Sequence, residues 1–191
     1  TGSHRVVAPD LPGFGEGSRL AGARYDVDAQ LERLVALLDR LGIGAAHLVG
    51  NSMGGHLAAA LLRQCPDRVR SLALFDAAGV DPRVDTEFIA ALRRGENLLL
   101  ADSREDFRRL TAMMFVRQPF IPGRVLDHLG AVAAARRAWN AAVFAQYWDA
   151  FDSLEHGPPL PVVPTLILWG REDRVLPVED AESFRRLLPH A

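Results

Sequence analysis

The 191-residue chain lacks the features on which several classes of protein depend. It has one cysteine, Cys65, which excludes an internal disulfide and leaves too few thiols for a structural zinc site. It has no stripe of basic residues, and its net charge of -2 does not favour binding to the negatively charged backbone of a nucleic acid. No apolar run reaches the roughly 18 residues of a membrane-spanning helix. The sequence therefore favours a soluble protein that binds no nucleic acid, with a cytoplasmic location as the default expectation.

What the chain does have is the composition of one globular domain and an alternation of short strands with helices. Hydrophobic residues make up 49% and charged residues 24% of the chain, a balance typical of a domain with a stable core. Continuous apolar runs predict four strands buried on both faces of a parallel sheet. These strands are expected at 5–9, 46–51, 71–76 and 164–170. Helical spacing over 31–41 and 57–65 supplies crossover helices, so the predicted fold class is α/β with a mainly parallel sheet.

Between residues 79 and 161 the pattern changes to helices alone. Helical segments are predicted around 87–94, 104–115 and 124–147, with no convincing strand among them. An all-helical insertion between two strands is expected to form a cap over the strand ends. The chain is thus predicted to divide into a first core part at 1–78, a helical cap at 79–161 and a second core part at 162–191.

A serine between glycines follows the second predicted strand. The quintet Gly50-Asn51-Ser52-Met53-Gly54 fits the pattern G-x-S-x-G, in which a nucleophilic serine occupies a sharp turn from strand to helix. The two glycines answer the demand for small residues where strand and helix approach each other. The helix that follows directs the backbone N–H of Met53 towards a developing oxyanion. A serine that only capped the helix would not explain the flanking glycines, so Ser52 is predicted to be a nucleophile.

A nucleophilic serine needs a histidine base and a carboxylate that orients the base. The stretch TLILWGREDRVLP places Asp173 just after the predicted strand at 164–170, at the sheet edge where ligands of open α/β sheets bind. Asp76, after the strand at 71–76, is the alternative acid, although it opens the cap and also suits a turn. Asp173 is the predicted acid.

The base is harder to place. The chain order serine, acid, histidine requires a histidine after Asp173, and only His190 follows it. His190 comes directly after a helix that Pro189 closes, so it begins a loop and does not follow a strand. His56 lies on the helix after Ser52 but points along the wrong side. The other histidines are predicted to be structural or exposed, namely His4, His47, His128 and His156.

One glycine-rich stretch partly resembles a dinucleotide-binding motif, but its context does not favour that function. PGFGEG at 12–17 follows a predicted strand, but a dinucleotide fingerprint needs G-x-G-x-x-G at the start of a helix. The next helical pattern begins near Asp28, so the stretch is a loop. The sequence implies no organic cofactor and no metal.

With these residues placed, the chain resembles an α/β-hydrolase over nearly its whole length. VVAPDLPGFGEGS resembles strand 4 and the following loop of that family, HLVGNSMGGHLA its nucleophile elbow, PDRVRSLALFDAAG strand 6, and VPTLILWGREDRVLPVEDAE strand 7 with the acid loop. GNSMGGH, GENLLL and the cap look closest to bacterial family V lipases and monoacylglycerol lipases. The elbow GNSMGG is also similar to that of the meta-cleavage-product hydrolases, which cut carbon–carbon bonds with the same triad.

The same resemblance implies that the chain is a fragment with an incomplete hydrolase core. The family places three strands, a helix and a His-Gly oxyanion loop before the strand that begins here at Arg5. It places a further strand and the catalytic histidine after the helix that ends here near Pro189. The fragment is therefore expected to hold nucleophile and acid without the base, and to be inactive by itself.

The expected function is hydrolysis of a small-molecule carboxylic ester with a hydrophobic acyl chain. Ser52 would attack the ester carbonyl, the Met53 N–H would hold the oxyanion, and Asp173 would orient a histidine outside the chain. Two alternatives stay open: cleavage of carbon–carbon bonds in vinylogous diketones, and a non-catalytic fold used for binding. The sequence does not determine the oligomeric state. Candidates for the acyl pocket are apolar residues of the cap, namely Met113, Met114, Phe115, Phe120 and Phe144.

Overall fold

A three-stranded parallel sheet forms the centre of the protein. The computed structural model describes residues 2–191. The strands β1 (Ala46–Ser52), β2 (Val69–Ala77) and β3 (Thr165–Leu168) lie side by side in that order. Because all three run in one direction, their carboxyl ends meet at one edge of the sheet. The α/β class with a parallel sheet is thus confirmed.

Helices of two groups surround this sheet in the described part of the chain. They are α1 (Val27–Arg40), α2 (Met53–Gln64), α3 (Glu87–Arg93), α4 (Arg104–Met114), α5 (Gly123–Asp149) and α6 (Asp180–Leu187). Side chains of α1, α2 and α6 pack with alternate strand residues in one core. Leu31, Leu62, Leu72, Leu74 and Phe184 are at most 2% exposed there, and burial of this apolar surface is the main term that stabilises the fold. No helix within residues 2–191 is long and apolar enough to cross a membrane.

The helices α3, α4 and α5 follow β2 and precede β3. They correspond to the helical segments predicted at 87–94, 104–115 and 124–147. Phe88, Ile89 and Met113 form a second, smaller apolar cluster within this insertion. The division of the chain into core and cap at residues 78 and 161 stays a prediction.

Two expectations about the sheet are wrong for the described residues. Residues 5–9 form no strand and are all exposed, because a strand needs a neighbour to complete its hydrogen bonds and β1 pairs with β2 alone. The strands are also not buried on both faces, since Val49, Leu166 and Leu168 are 68%, 54% and 57% exposed. The large core cluster involves the opposite face, and these three residues lie outside it.

The turn from β1 to α2 is set by a close approach of backbone to backbone. Ser52 has φ 52° and ψ -123°, a strained conformation for a residue with a side chain, and its hydroxyl caps no helical N–H. A Cβ at Gly50 would overlap the carbonyl of Gly54, and one at Gly55 would lie 2.5 Å from the Cβ of Ala77. A Cβ at Gly54 would meet open space. The expectation that Gly54 must be small is therefore wrong, because only its backbone takes part in the contact.

A buried pair joins α2 to α5. His56 is 2% exposed, and its Nδ1 lies 2.9 Å from the hydroxyl oxygen of Tyr147. Phe151 packs edge-on against the imidazole at a centroid distance of 5.5 Å. Burial, together with the nearby charge of Arg63, lowers the pKa of His56 to about 4. At neutral pH the imidazole is therefore uncharged, and the helical insertion is fastened to the sheet side by a neutral hydrogen bond.

The glycine contacts predict opposite outcomes for two neighbouring substitutions. Gly50→Ala should lower the free energy of unfolding by about 1–3 kcal/mol, because the new methyl group must push the Gly54 carbonyl away. Gly54→Ala, the matched control, should change it by less than about 1 kcal/mol and in the stabilising direction, because alanine favours helices. Urea unfolding followed by circular dichroism measures both. An equal loss in the two variants would contradict the contact.

The buried imidazole predicts a loss of stability on acidification. The pKa of His56 is about 4 in the folded protein and near 6.5 when unfolded, so the unfolded state binds more protons between these values. Folding should therefore lose about 3 kcal/mol from this group as pH falls from 7 to 4. The stability difference between the parent and His56→Asn should shrink by that amount over the range. His128→Asn, at an exposed position, is the control, and a pH-independent difference for His56→Asn would refute the prediction.

Candidate active site

Ser52 lines a cavity of about 370 Å³ beyond the carboxyl end of β1. Met53, the first residue of α2, lines the same cavity, so the unpaired N–H groups that begin a helix lie beside the serine. The segment after β2 contributes Gly79 and Val80. Asn51 has a different role, because its amide nitrogen donates to the carbonyl of Phe75, 2.9 Å away, and fastens β1 to β2. The predicted nucleophile and oxyanion donor thus lie at the same partly open cavity.

One wall of the cavity is an aromatic stripe at the end of α5, and its last member, Phe151, lies just beyond the helix. Phe144, Tyr147, Trp148 and Phe151 all line the space. The rings of Phe144 and Trp148 are stacked with centroids 6.0 Å apart, and Trp148 stacks on Phe151 at the same distance. Sequence reasoning missed the last three of these residues. Their spacing of i, i+3, i+4 and i+7 is that of one helix face, and it would have identified them.

Of the five residues predicted for the acyl pocket, only Phe144 lines this cavity. Met113 is buried behind it, packed with the side chains of the α3 cluster. Met114, Phe115 and Phe120 are 56%, 45% and 91% exposed on the outer surface. The predictions that these four residues line the pocket are wrong. The direction of α4 and of the loop after it turns the apolar residues that follow Met113 away from the site.

The structure places Asp173 in the loop after β3. Its Oδ1 accepts hydrogen bonds from the N–H groups of Val175, at 2.7 Å, and Leu176, at 3.1 Å. Both donors line the cavity that holds Ser52. Burial raises the pKa of Asp173, the charge of Asp76 raises it further, and the two N–H groups oppose the rise. The carboxylate is therefore fixed through one oxygen in a half-buried position behind the cavity wall.

Asp76, the penultimate residue of β2, lies close to Asp173 but accepts a hydrogen bond from a different loop residue. Its Oδ1 accepts a hydrogen bond of 2.6 Å from the N–H of Gly170, so it links the ends of β2 and β3. Its φ of 43° lies in the left-handed region that few residues with side chains adopt. A Cβ built on Gly170 would be 3.4 Å from Asp76 Oδ1 and 3.9 Å from Asp173 Cβ. The two candidate acids thus sit on either side of one glycine.

Within the described residues, no histidine side chain has a hydrogen bond with Ser52. His56 is committed to Tyr147, and His128 is exposed on α5. The partners of the others are Ser3 for His4, Ser71 for His47, Asp152 and Asp81 for His156, and Val163 for His190.

His190 lies at the wrong end of the sheet for a base. Its Nε2 is 2.7 Å from the carbonyl oxygen of Val163, just before the start of β3. Ser52 stands at the carboxyl end of the parallel strand β1. Strand direction alone therefore separates His190 from Ser52.

The only charged side chains that line the described cavity are two arginines, Arg19 and Arg136. Both donate to the carbonyl of Gly15, at 2.7 Å and 3.2 Å, and Arg136 also pairs with Glu16 at 3.0 Å. Asn140 lines the cavity as well. Sequence reasoning missed this polar end because its parts lie far apart along the chain. Residues 2–191 contain no group of three metal-ligating side chains.

Comparison with known proteins agrees with this geometry. A family model described as alpha/beta hydrolase fold matches residues 2–113. Lipase 3 of Moraxella sp. (strain TA144) is 31% identical over 98% of this chain and 60% of its own length. The 2-hydroxymuconate semialdehyde hydrolase of Pseudomonas sp. (strain CF600) is 38% identical over 93% of this chain and 62% of its own. A crystal structure of a membrane phospholipase A, a bacterial virulence factor, is 44% identical with a TM-score of 0.89 over 93% of this chain and 57% of that one.

The chain spans about three fifths of the length of the curated relatives it matches. The family model covers more than half of the chain, including all of β1, the serine elbow and β2. By this match, with its parallel sheet and the strained strand-to-helix turn at Ser52, the chain belongs to the α/β-hydrolase-fold family.

Proposed function

We propose that this protein is a serine hydrolase of carboxylic esters with hydrophobic acyl chains. The observation that carries the proposal is the strained Ser52 beside the N–H of Met53 at a cavity with one aromatic wall. A serine on such an elbow presents its hydroxyl to substrate. A mainly apolar wall with few polar groups suits an acyl chain. The similarity to a lipase and to a phospholipase A supports this substrate class.

In the proposed reaction Ser52 Oγ attacks the ester carbonyl carbon while a histidine takes its proton. The carbonyl oxygen becomes an oxyanion, which the N–H of Met53 and the positive end of α2 stabilise. The histidine then gives the proton to the departing alcohol. Water then attacks the acyl-serine ester while the histidine takes a proton from the water. The histidine gives this proton to Ser52 Oγ as the ester bond breaks, which frees the acid and restores the serine.

Asp173 is the proposed acid that orients this histidine. The two loop N–H groups occupy its Oδ1, which leaves Oδ2 for an imidazole N–H. Asp76 is less suited because its Oδ1 already links β2 to β3 through Gly170. The histidine itself is proposed to come from outside residues 2–191, since none of the described histidine side chains forms a hydrogen bond with Ser52.

A second candidate function is hydrolysis of a carbon–carbon bond in a vinylogous diketone acid. It is favoured by Arg19 and Arg136, because cationic side chains at the polar end of the cavity suit a substrate carboxylate. The similarity to a 2-hydroxymuconate semialdehyde hydrolase agrees with it. Ester hydrolysis is preferred because both arginines already share the carbonyl of Gly15, and the aromatic wall forms the larger part of the lining.

The proposed triad predicts a graded set of activities for protein expressed from the complete reading frame. Ser52→Ala should lower kcat for p-nitrophenyl butyrate by at least about 10⁴-fold, because the nucleophile is lost. Asp173→Asn should lower it by about 10⁴-fold, because the histidine loses its orienting charge. Asp76→Asn is the matched control and should cost less than about tenfold, since an amide oxygen also accepts the Gly170 N–H. The 191-residue chain alone should show little or no turnover.

Three results would change the account. Turnover by the 191-residue chain that Ser52→Ala abolishes would show that the base lies within it. A larger loss in Asp76→Asn than in Asp173→Asn would move the acid to the end of β2. A higher kcat/KM for a 2-hydroxy-6-oxo-dienoate than for the ester would establish the second candidate instead.

A further inference from the structure

The stretch from the last residue of α4 to the first turn of α5 exposes an unusual number of large apolar side chains. Every residue from 114 to 120 is exposed. Phe120 is 91%, Val116 66% and Met114 56% exposed. Scattered apolar residues are ordinary on protein surfaces, but a contiguous group marks an interaction site. We call the group formed by Met114, Phe115, Val116, Phe120 and Val125 the cap-tip surface.

Arginines outnumber carboxylates around the cap-tip surface, although Glu105, Asp106 and Asp127 flank it. Residues 107–126 contain four arginines and no aspartate or glutamate. Arg117 and Arg124 have no carboxylate within 4.0 Å in the described part of the chain. Arg108 and Arg109 lie 3.8 Å and 4.0 Å from Glu105, and Arg109 also lies 3.8 Å from Asp106. Both arginines line a groove together with Glu105, Gln118, Pro119 and Ile121. The apolar residues are therefore accompanied by two arginines, Arg117 and Arg124, whose charge no nearby carboxylate of the described residues neutralises.

The cap-tip surface also lies on the outer side of the cavity. Met113, the residue before it, packs against Phe88 and Ile89. Both of these side chains line the cavity that holds Ser52. A layer of one side chain thus separates the exposed loop from the wall of the site.

We propose that the cap-tip surface docks on a lipid bilayer that contains anionic lipids. Phe115, Val116 and Phe120 enter the interface between headgroups and acyl chains, and the arginines bind lipid phosphates. Exposed apolar side chains beside the positive charges of Arg117 and Arg124 are complementary to the acyl chains and negative headgroups of such a bilayer. A second copy of the chain fits less well, because pairing the same surface would bring like charges together. This docking is independent of the proposed ester hydrolysis.

The test measures partition of protein expressed from the complete reading frame onto large unilamellar vesicles by co-sedimentation. Vesicles of phosphatidylcholine with phosphatidylglycerol should bind the chain, vesicles of phosphatidylcholine alone should bind it at least tenfold more weakly, and added salt should reduce binding. Phe120→Asp should lower the partition coefficient by at least about tenfold. Arg117→Gln with Arg124→Gln should lower it by about thirtyfold on mixed vesicles, roughly fivefold for each charge.

Two controls separate the cap-tip surface from other exposed groups. Val162→Asp removes an apolar side chain that is 79% exposed outside this surface, and Arg40→Gln removes an exposed charge at the end of α1. Both should bind like the parent, and circular dichroism checks that all variants are folded. Equal binding to the two vesicle types, an unchanged partition of Phe120→Asp, or a dimer in solution that Phe120→Asp dissociates would each overturn the proposal. Failure of vesicle binding would leave the ester assays unaffected, so the two proposals are tested separately.

Discussion

The contact between Gly50 and the backbone of Gly54 sets the geometry on which the candidate site depends. It lets β1 run directly into α2 with a single residue, Ser52, at the turn. The turn is held from the next strand as well, because the N–H of Ala78 donates to the Ser52 carbonyl at 2.9 Å. Since both sides of the serine are fixed, its left-handed backbone persists and its hydroxyl lies beside the first N–H groups of α2. A serine at an ordinary helix start would be free of these constraints.

The helical insertion is tied to this turn at its base. Gly79, where the chain leaves β2, has φ 116°, and a Cβ there would lie 2.8 Å from the imidazole of His56. Its carbonyl accepts a 2.7 Å hydrogen bond from the N–H of Leu154, where the insertion ends. The bond from His56 to Tyr147 adds a third attachment. The cavity and the turn at Ser52 therefore depend on the same few contacts, and the aromatic stripe lies beyond the carboxyl end of β1.

Local patterns were sufficient to predict most of the elements and the strand-to-helix turn at Ser52, whose role as a nucleophile stays a prediction. The helices are marked by apolar spacing and by residues that start or stop them, such as Asp26, whose carboxylate caps α1. The strand before Ser52 and the helix after it predict the sharp turn at this residue. The parallel strands bring Asp76 and Asp173 to the same edge of the sheet. These features depend on a few neighbouring residues, so the sequence contains them directly.

The features that could not be predicted from the sequence depend on tertiary packing between distant parts of the chain. Residues 5–9 have the composition of a strand, but no described strand lies beside them. Gly54 fits the motif, yet the close contact falls on its carbonyl and a side chain there has room. Phe120 is as apolar as Phe144, and only the path of the loop after α4 decides that one is 91% exposed and the other lines the cavity. His190 is in the right order along the chain but at the opposite end of the sheet.

The central claim is that the elbow makes Ser52 a nucleophile, and covalent labelling tests it most directly. Protein expressed from the complete reading frame is treated with a fluorophosphonate, digested, and analysed by mass spectrometry for the modified peptide. The account predicts stoichiometric phosphonylation of Ser52 in the folded protein and none after unfolding in urea or in Ser52→Ala. A folded, complete protein whose Ser52 stays unmodified would contradict it.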